Sequence, residues 1–227
     1  MIERTRAPGL HTVRLAHGEI WQYFITAVPN GGHDEPGALC ERALSPVRSA
    51  RAVVVGQDIF GIPAKRGSVS SDVSKICGGS GWPVTWLKET AQLGENLTGT
   101  QLQAISGAEV RQLWLDGRMV GTVYEDAHAR YCRLGDIRAA DASLPREQQA
   151  REVFELMERA LSAADMFFTD IIRTWFYLDS ILAWYGDFNK VRTEFFTVRR
   201  IFDNLVPVST GIGNGNAAGA CAGAEVG

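Results

Sequence analysis

The sequence contains no long run of apolar residues. No stretch reaches the roughly 18 apolar residues that a membrane-spanning helix needs. The residues from Met1 to Pro8 also lack the apolar segment of about 7–15 residues found at the centre of a secretory signal. We therefore expect a cytoplasmic protein that makes no contact with a membrane.

Metal-binding sequence patterns are missing as well. The four cysteines and four histidines lie far apart, and no two cysteines have the CxxC spacing typical of a structural zinc site. We therefore expect no bound metal and no cofactor. In a cytoplasmic protein such dispersed cysteines are expected to be unpaired thiols. The cysteines are Cys40, Cys77, Cys132 and Cys221.

The chain has no marked excess of charge of either sign. Its 23 Lys and Arg residues stand against 26 Asp and Glu residues, which gives a net charge of −3 and a pI near 5.8. This balance argues against nucleic-acid binding, which usually requires a basic surface. The hydrophobic fraction of 45% is typical of a folded protein, and 227 residues are enough for one or two domains.

Segments with the spacing of strands and helices alternate along the chain. A strand is predicted over residues 19–28, and a helix follows it from near Pro36. Helical spacing returns over residues 145–164 and from Asp179, the predicted N-cap of the last helix, to Arg199. Further strands are predicted over residues 52–60, 83–87, 99–105, 131–136 and 170–178, with a hairpin over 110–124 and a loop over 64–81. This order predicts an α+β fold in which helices pack on one face of mixed sheets.

The C-terminal part of the chain resembles a known family. The run RTWFYLDSILAWYGDFNKVRTEFF, from Arg173 to Phe196, resembles a strand and helix of the Rid/YjgF superfamily. The segment VPVSTGIG, from Val206 to Gly213, is similar to the superfamily's Pro-led loop and last strand. The Arg-Thr-Trp and Thr-Gly-Ile-Gly segments are most similar to the large members related to chorismatases. The resemblance covers roughly residues 129–220.

The resemblance implies a chorismate-mutase-like α+β fold, with small-molecule pockets between sheets or subunits. It predicts a Rid/YjgF-like domain over residues 126–227, a divergent N-terminal βαβ region over residues 1–125, and a homo-oligomer, with a trimer favoured. Typical Rid proteins hydrolyse reactive enamines and imines, whereas chorismatases hydrolyse the enol-pyruvyl ether of chorismate. Some relatives have been named endoribonucleases.

One position departs from the family pattern, and another is a candidate for the family's catalytic role. In the deaminases the Pro-led loop continues Pro-Ala-Arg, and that Arg binds the substrate carboxylate through paired hydrogen bonds. Here Ser209 stands at this position, and a serine cannot supply a guanidinium group.

The family's water-activating glutamate lies in its final strand, where Glu225 is the only carboxylate of a glycine- and alanine-rich tail. Glu225 is thus the candidate general base, although it lies near the end of the sequence, where chains commonly fray.

Six side chains are candidate contacts for a carboxylated substrate. They are Arg173, Arg133, Tyr177, Cys132, Asn189 and Thr210. Either arginine would bind a carboxylate through its guanidinium group, but Arg173 has an alternative role as an ion-pair partner of Asp165, Asp170 or Asp187.

The other candidates also have structural alternatives. Tyr177 is equally suited to a core or subunit contact, and Cys132 to a buried, unreactive thiol. Asn189 has the alternative of bonding backbone groups near Pro207. Thr210 opens a glycine-rich segment whose amides are suited to anion binding, but no helix is predicted after it, as a dinucleotide-binding loop requires.

These observations predict a small-molecule hydrolase or deaminase that acts on a carboxylated metabolite, either an imine or enamine or a chorismate-like enol ether. The alternative is a non-catalytic Rid-like protein that binds a metabolite or serves as a structural half of a larger enzyme. RNA cleavage is a third possibility, which the acidic charge disfavours. The sequence does not decide whether the protein is an enzyme.

Overall fold

Two sheets form the framework of the protein. The computed structural model describes residues 1–31, 36–61, 81–88, 97–216 and 218–227. Within these residues the strands form two six-stranded sheets, and helices cover one face of each. This arrangement confirms the predicted α+β class with helices on one face of mixed sheets. The predicted loop over residues 64–81 lies almost wholly outside the described residues.

The first sheet comes from the N-terminal half of the chain. Its strands are β1 Ile2–Ala7, β2 Leu10–His17, β3 Ile20–Ala27, β4 Val53–Gly61, β5 Val84–Leu87 and β6 Leu97–Ser106. They lie in the order β1-β2-β3-β6-β4-β5. Only β4 and β5 pair in parallel among these strands. Helix α1, Pro36–Ser49, packs on β3 and β6.

Alternation along β3 and the spacing of α1 build the first core. Tyr23, Ile25 and Ala27 lie on one face of β3 and are buried against Leu39 and Leu44 of α1. Successive side chains of a strand point to opposite faces, so the residues between them face away from the helix. This leaves the other face of the sheet free to meet the second sheet.

The second sheet comes from the C-terminal half. Its strands are β7 Val110–Leu115, β8 Arg118–Glu125, β9 Arg130–Arg138, β10 Arg173–Leu178, β11 Val208–Ile212 and β12 Ala222–Val226. They lie in the order β11-β10-β12-β9-β8-β7, with β10 and β11 parallel. Helices α2, Arg146–Ser162, and α3, Tyr185–Val198, pack against each other. Short 3-10 turns lie at Phe168–Asp170, Ile181–Ala183 and Ile201–Asp203.

A cluster of phenylalanine rings fills the space between the second sheet and its helices. Phe154 of α2 is fully buried, and its ring centroid lies 5.3 Å from that of Phe176 and 5.2 Å from that of Phe195. Burying an aromatic side chain contributes up to about 3 kcal/mol. These rings therefore attach both helices firmly to one face of the sheet.

The free faces of the two sheets meet. Ile20, Val55 and Ile105 of the first sheet form a small buried cluster that packs against Val110 and Tyr124 of the second. Nearby, Thr122 Oγ1 donates a hydrogen bond of 2.8 Å to the backbone oxygen of Val55. The layers therefore run helix, sheet, sheet, helices, and the space between the sheets is interior.

The structure differs from the sequence-based predictions in three places. The hairpin of β1 and β2 was not predicted, because nearly every residue of β1 is exposed and the strand shows no apolar alternation. The last helix begins at Tyr185 rather than near Asp179, because Ser180 adopts a left-handed backbone conformation with φ 51° and a 3-10 turn follows. Trp184, not Asp179, occupies the N-cap. The predicted strand over residues 170–178 begins only at Arg173.

Other predictions concern cysteines, membranes and domains. Cys132 and Cys221 are free thiols, but Cys40 is disulfide-bonded, which corrects the expectation of an unpaired thiol there. No helix in the described part of the chain is long and apolar enough to cross a membrane. The domain boundary at residue 125 stays a prediction; the strands of the second sheet begin at Val110.

Candidate functional site

A polar cluster lies between the sheets and centres on Glu225. Strand β12 pairs with β10 on one side and β9 on the other, and its alternation places Ala224 and Val226 in the helix-facing core. Glu225 therefore projects from the opposite face, toward the first sheet. It is only 4% exposed. The expectation of a frayed end is wrong, because Gly227 and Arg173 exchange two backbone hydrogen bonds of 3.0 Å.

Glu225 has two partners on neighbouring strands of its own sheet. The Tyr177 hydroxyl donates a hydrogen bond of 3.2 Å to Glu225 Oε2. Arg133 Nη2 lies 3.9 Å from the same oxygen. Burial, followed by the nearby Glu225 carboxylate, raises the pKa of Tyr177 well above its usual value. Tyr177 is therefore a permanent hydrogen-bond donor to Glu225.

The first sheet contributes a second carboxyl group, Asp58 of β4. It lies within hydrogen-bonding reach of Glu225, and its Oδ1 is buried without a hydrogen-bond donor among the described residues. Burial raises the pKa of Asp58 well above its usual value, the Glu225 carboxylate raises it further, and Arg133 opposes both effects. Asp58 was missed by sequence reasoning. The available signal was an acidic residue inside the otherwise mostly apolar strand VVVGQDIFG.

Arg133 is held in place by close packing. A Cβ atom at Gly56 would lie 2.7 Å from Arg133 Nε, so the first sheet approaches the guanidinium group where glycine leaves room. The guanidinium carbon lies 5.8 Å from the centroid of the Trp175 ring, within the range of a cation–π interaction. The Arg133 side chain is 14% exposed.

Two cavities lie near this cluster, and Arg133 is the cluster residue that lines one of them. The smaller, of about 160 Å³, is lined by Arg133 and by Gln103, Tyr124 and Gly227 among others. The larger, of about 400 Å³, is lined by Phe60, Lys88, Gln101, Ile212 and Asn214 among others.

Strand register places the larger cavity next to the carboxyl groups. Gln101 pairs with Asp58 across β6 and β4, and Ile212 pairs with Tyr177 across β11 and β10. Arg133 itself forms part of the wall of the smaller cavity. A small molecule in the smaller cavity would therefore contact Arg133, and one in the larger cavity would lie against the strand neighbours of Asp58 and Tyr177.

The predicted site residues divide into two sets. Glu225, Arg133 and Tyr177 come together between the sheets. Arg173 is exposed and instead donates a hydrogen bond of 3.3 Å to Thr210 Oγ1, with its guanidinium 4.8 Å from the Trp175 centroid.

The alternative ion pairs predicted for Arg173 do not form among the described residues. Asp165 lies 3.7 Å from Arg130 instead, and Asp187 pairs with Lys190 at 2.7 Å. Asp170 accepts a hydrogen bond of 2.7 Å from the Phe167 amide.

Cys132 and Asn189 do not join the cluster. Cys132 lines the smaller cavity, but burial raises the pKa of its thiol to about 12, so it stays protonated and is a poor nucleophile. Asn189 lies on α3, and its Oδ1 is buried without a hydrogen-bond partner in the described part of the chain. It therefore does not use this oxygen to bond backbone groups near Pro207.

The glycine-rich segment and Ser209 have structural roles. The Ser209 hydroxyl accepts a hydrogen bond of 2.9 Å from Thr174 and donates one of 3.3 Å to the Pro207 carbonyl. A Cβ atom at Gly213 would lie 2.8 Å from Ile181. This glycine is required by packing against the 3-10 turn.

The acidic groups of the cluster are not arranged as metal ligands. Within the described ranges, no three His, Cys, Asp or Glu side chains are grouped so that they would hold a metal ion. The carboxyl groups of the cluster instead face an arginine and a tyrosine.

The fold has known counterparts among solved structures. No protein-family model matches the chain, and no curated protein sequence matches it. A crystal structure of chorismatase superposes with a TM-score of 0.66 at 12% identity, covering 99% of this chain and 78% of that one. Escherichia coli TdcF with bound serine matches with a TM-score of 0.40 at 15% identity, covering 51% of this chain and 89% of that one. A Mycobacterium tuberculosis member of the YjgF/YER057c/UK114 family gives 0.39 at 16% identity, covering 52% and 97%.

The likeness to chorismatase establishes the class of fold. The chain has the α+β fold, with helices on mixed sheets, that its sequence predicted. More particularly, it has the arrangement seen in chorismatase over nearly its whole length, as the resemblance to proteins related to chorismatases implied. At 12% identity this likeness extends to the fold and not to the reaction.

Proposed function

We propose that the protein is a hydrolase that acts on a small carboxylated metabolite, at an enol-ether or imine carbon. The observation that carries this proposal is the position of Glu225: a buried carboxyl group held by Tyr177, beside Arg133, which lines a cavity. Perturbed titratable groups that converge beside a cavity are typical of active sites.

Arg133 is suited to bind the carboxylate of the substrate. Its separation of 3.9 Å from Glu225 is too long for a hydrogen bond, so this carboxylate does not occupy the guanidinium donors. A guanidinium group presents five N–H donors in a planar arrangement that matches a carboxylate. The cation–π contact with Trp175 fixes its orientation while leaving those donors free. Arg133 thus supplies the guanidinium group for the substrate carboxylate, which Ser209 cannot supply.

Glu225 is suited to accept a proton from the attacking water. A general base must lie within about 2.6–3.2 Å of the group whose proton it abstracts, and Glu225 projects from β12 into the space between the sheets, beside the cavity-lining Arg133. The hydrogen bond from Tyr177 orients the Oε2 atom of Glu225. Water is therefore the proposed nucleophile.

Chorismate is the first substrate to assay, because the chorismatase structure shares the fold of nearly the whole chain, with a TM-score of 0.66. Imines derived from 2-aminoacrylate are the second, since the superfamily that residues 129–220 resemble includes imine deaminases. The two assays have different products, pyruvate and ammonia, so each detects one reaction. The trimer implied by the resemblance stays a prediction.

The test compares the purified protein with Glu225→Gln and with Glu19→Gln, a matched change at an exposed residue. We expect the unmodified protein and Glu19→Gln to turn over one substrate equally. Glu225→Gln should lose about 10²–10⁴-fold in kcat, the usual contribution of a general base. Absence of both products from the unmodified protein, or full activity of Glu225→Gln, would overturn the proposal. Thermal stabilisation by chorismate without turnover would instead support a binding protein.

A further inference from the structure

We propose that Asp58 and Glu225 share one proton and work as an acid–base pair, in which Asp58 protonates the substrate while Glu225 deprotonates water. This inference rests on the proposed hydrolase function and adds a second catalytic residue to it. The two carboxyl groups come from opposite sheets, so the pair exists only where the N-terminal and C-terminal halves of the chain meet.

The geometry directs the Asp58 side chain to Glu225. Its strand β4 lies inside the first sheet, between the edge strand β5 and β6. The hydrogen bond that Thr100 donates to Asp58 goes to the backbone oxygen, at 2.8 Å, and Asp58 Oδ1 receives none from the described residues. The side chain lies within hydrogen-bonding reach of Glu225. Two buried carboxyl groups form such a contact when one of them keeps its proton.

The balance of charge around the pair supports a single shared proton. The cationic Arg133 acts on Asp58 and lies 3.9 Å from Glu225, and the other partner of Glu225 is the neutral hydroxyl of Tyr177. One arginine balances one carboxylate, and a second buried negative charge would be unpaired. Burial and the Glu225 carboxylate both raise the pKa of Asp58. We therefore assign the shared proton to Asp58.

A third carboxyl group near the pair has its own cation. Burial raises the pKa of Asp136 on β9, and Glu225 adds to this effect. Arg138 opposes both, because its Nε donates a hydrogen bond of 2.8 Å to Asp136 Oδ1. Asp136 therefore does not compete for the charge of Arg133.

A carboxylic acid and a carboxylate supply both proton transfers that hydrolysis needs. Asp58 gives its proton to the methylene carbon of an enol ether or to the nitrogen of an imine. Water adds to the adjacent carbon and loses a proton to Glu225. Glu225 then protonates the departing alcohol oxygen or amine nitrogen as its bond to carbon breaks, and the new hydroxyl group returns a proton to Asp58. The net reaction consumes one water, and the pair is restored.

A titration tests the shared proton without any reference to activity. Aspartate labelled with ¹³C at the side-chain carboxyl is incorporated, and the Asp58 signal is assigned by its loss in Asp58→Asn. We expect this carboxyl to be protonated at pH 7 in the unmodified protein. In Glu225→Gln its titration midpoint should move to lower pH, because the neighbouring negative charge is gone and Arg133 remains. An Asp58 carboxyl that is ionised at pH 7 would overturn the inference.

Kinetics test the role in catalysis. Asp58→Asn should lose about 10²–10⁴-fold in kcat, whereas Asp203→Asn, at an exposed site, should not. The unmodified enzyme should lose activity as pH rises, because Asp58 must be protonated, and Asp58→Asn should lack this alkaline limb. An alkaline limb that persists unchanged in Asp58→Asn would contradict the inference. If the unmodified protein turns over neither substrate, the proposed function fails, and the carboxyl titration alone decides whether the pair exists.

Discussion

The two faces of the second sheet differ in what they bury. On β10, Phe176 faces the helices and is 1% exposed, with ring centroids 5.3 Å from Phe154 and 5.1 Å from Phe188. The next residue, Tyr177, faces the first sheet and donates to Glu225. One face is thus filled with aromatic rings, and the other holds carboxyl groups, a tyrosine hydroxyl and a guanidinium group.

This difference indicates how the fold stays stable although it buries charged groups between the sheets. Burying charged groups is unfavourable unless they are paired, and paired groups often contribute little net stability. The aromatic face supplies hydrophobic burial that offsets this cost, while sharing the same backbone strands. Substitutions on the aromatic face should therefore reduce stability, and substitutions between the sheets should chiefly reduce function.

Phe176→Ala should have the largest effect on stability. Removing a fully buried phenylalanine typically costs about 3–5 kcal/mol in the free energy of unfolding, since a cavity remains. Urea unfolding measures this change. The matched variant is Tyr177→Phe on the opposite face, which keeps the ring and removes only one hydrogen bond, worth about 1 kcal/mol. Equal destabilisation by both variants would contradict the division between the faces.

Gly56→Ala should disturb binding more than stability. The new Cβ would lie 2.7 Å from Nε and 3.0 Å from Cδ of Arg133, and this long side chain would shift to relieve the contact. With the carboxylate anchor displaced, we expect KM to rise about tenfold, which corresponds to about 1.4 kcal/mol, with a smaller change in kcat. Steady-state kinetics on whichever of the two substrates is turned over measure both.

Gly186→Ala is the control for this change. Gly186 lies in helix α3, and beyond the backbone of that helix no described atom lies within 4 Å of the position that a Cβ would take. Alanine is favoured over glycine in helices by up to about 1 kcal/mol, so this variant should unfold at slightly higher urea with an unchanged KM. A KM that rises equally in both variants would show that Arg133 is not positioned by Gly56.

Much of the fold was predictable because local patterns agreed with the final structure. Aromatic and β-branched residues predicted β3, and the dipeptide Asp116-Gly117 predicted the turn between β7 and β8. The failures came where the pattern was absent or interrupted. Strand β1 has no buried face, and the left-handed Ser180 delays the last helix although its residues have helical spacing.

The site was predictable only in part, because it depends on contacts across two sheets. Glu225, Arg133 and Tyr177 lie within or just beyond the segment whose sequence resembles a known family. Asp58 lies 167 positions before Glu225 along the sequence, and nothing local indicates that their strands face each other. Arg173 was an equally good candidate from sequence, since both arginines lie on strands of the same sheet; only the structure shows that Arg173 is exposed.

The smallest predicted effect on stability concerns the contact between Asp126 and His17, at the end of the interface between the sheets. Asp126 follows β8 and accepts hydrogen bonds from the backbone amides of His128, at 2.7 Å, and Ala129, at 2.8 Å. Its other oxygen lies 2.9 Å from His17 Nδ1, at the end of β2 in the first sheet. The backbone hydrogen bond from His128, with the other contacts, lowers the pKa of Asp126 to about 2.

This lowered pKa determines how the contact should respond to acid. A carboxyl group whose pKa is lower in the folded state stabilises the fold above its unfolded pKa, about 3.9. That contribution is lost as pH falls toward 2. Asp126→Asn should therefore be less stable than the unmodified protein at pH 6, and urea midpoints measured downward from there should converge as the pH approaches 2. A difference that stays constant over this range would mean that Asp126 acts through its shape and not through its charge, and that the two sheets are joined by their buried contacts alone.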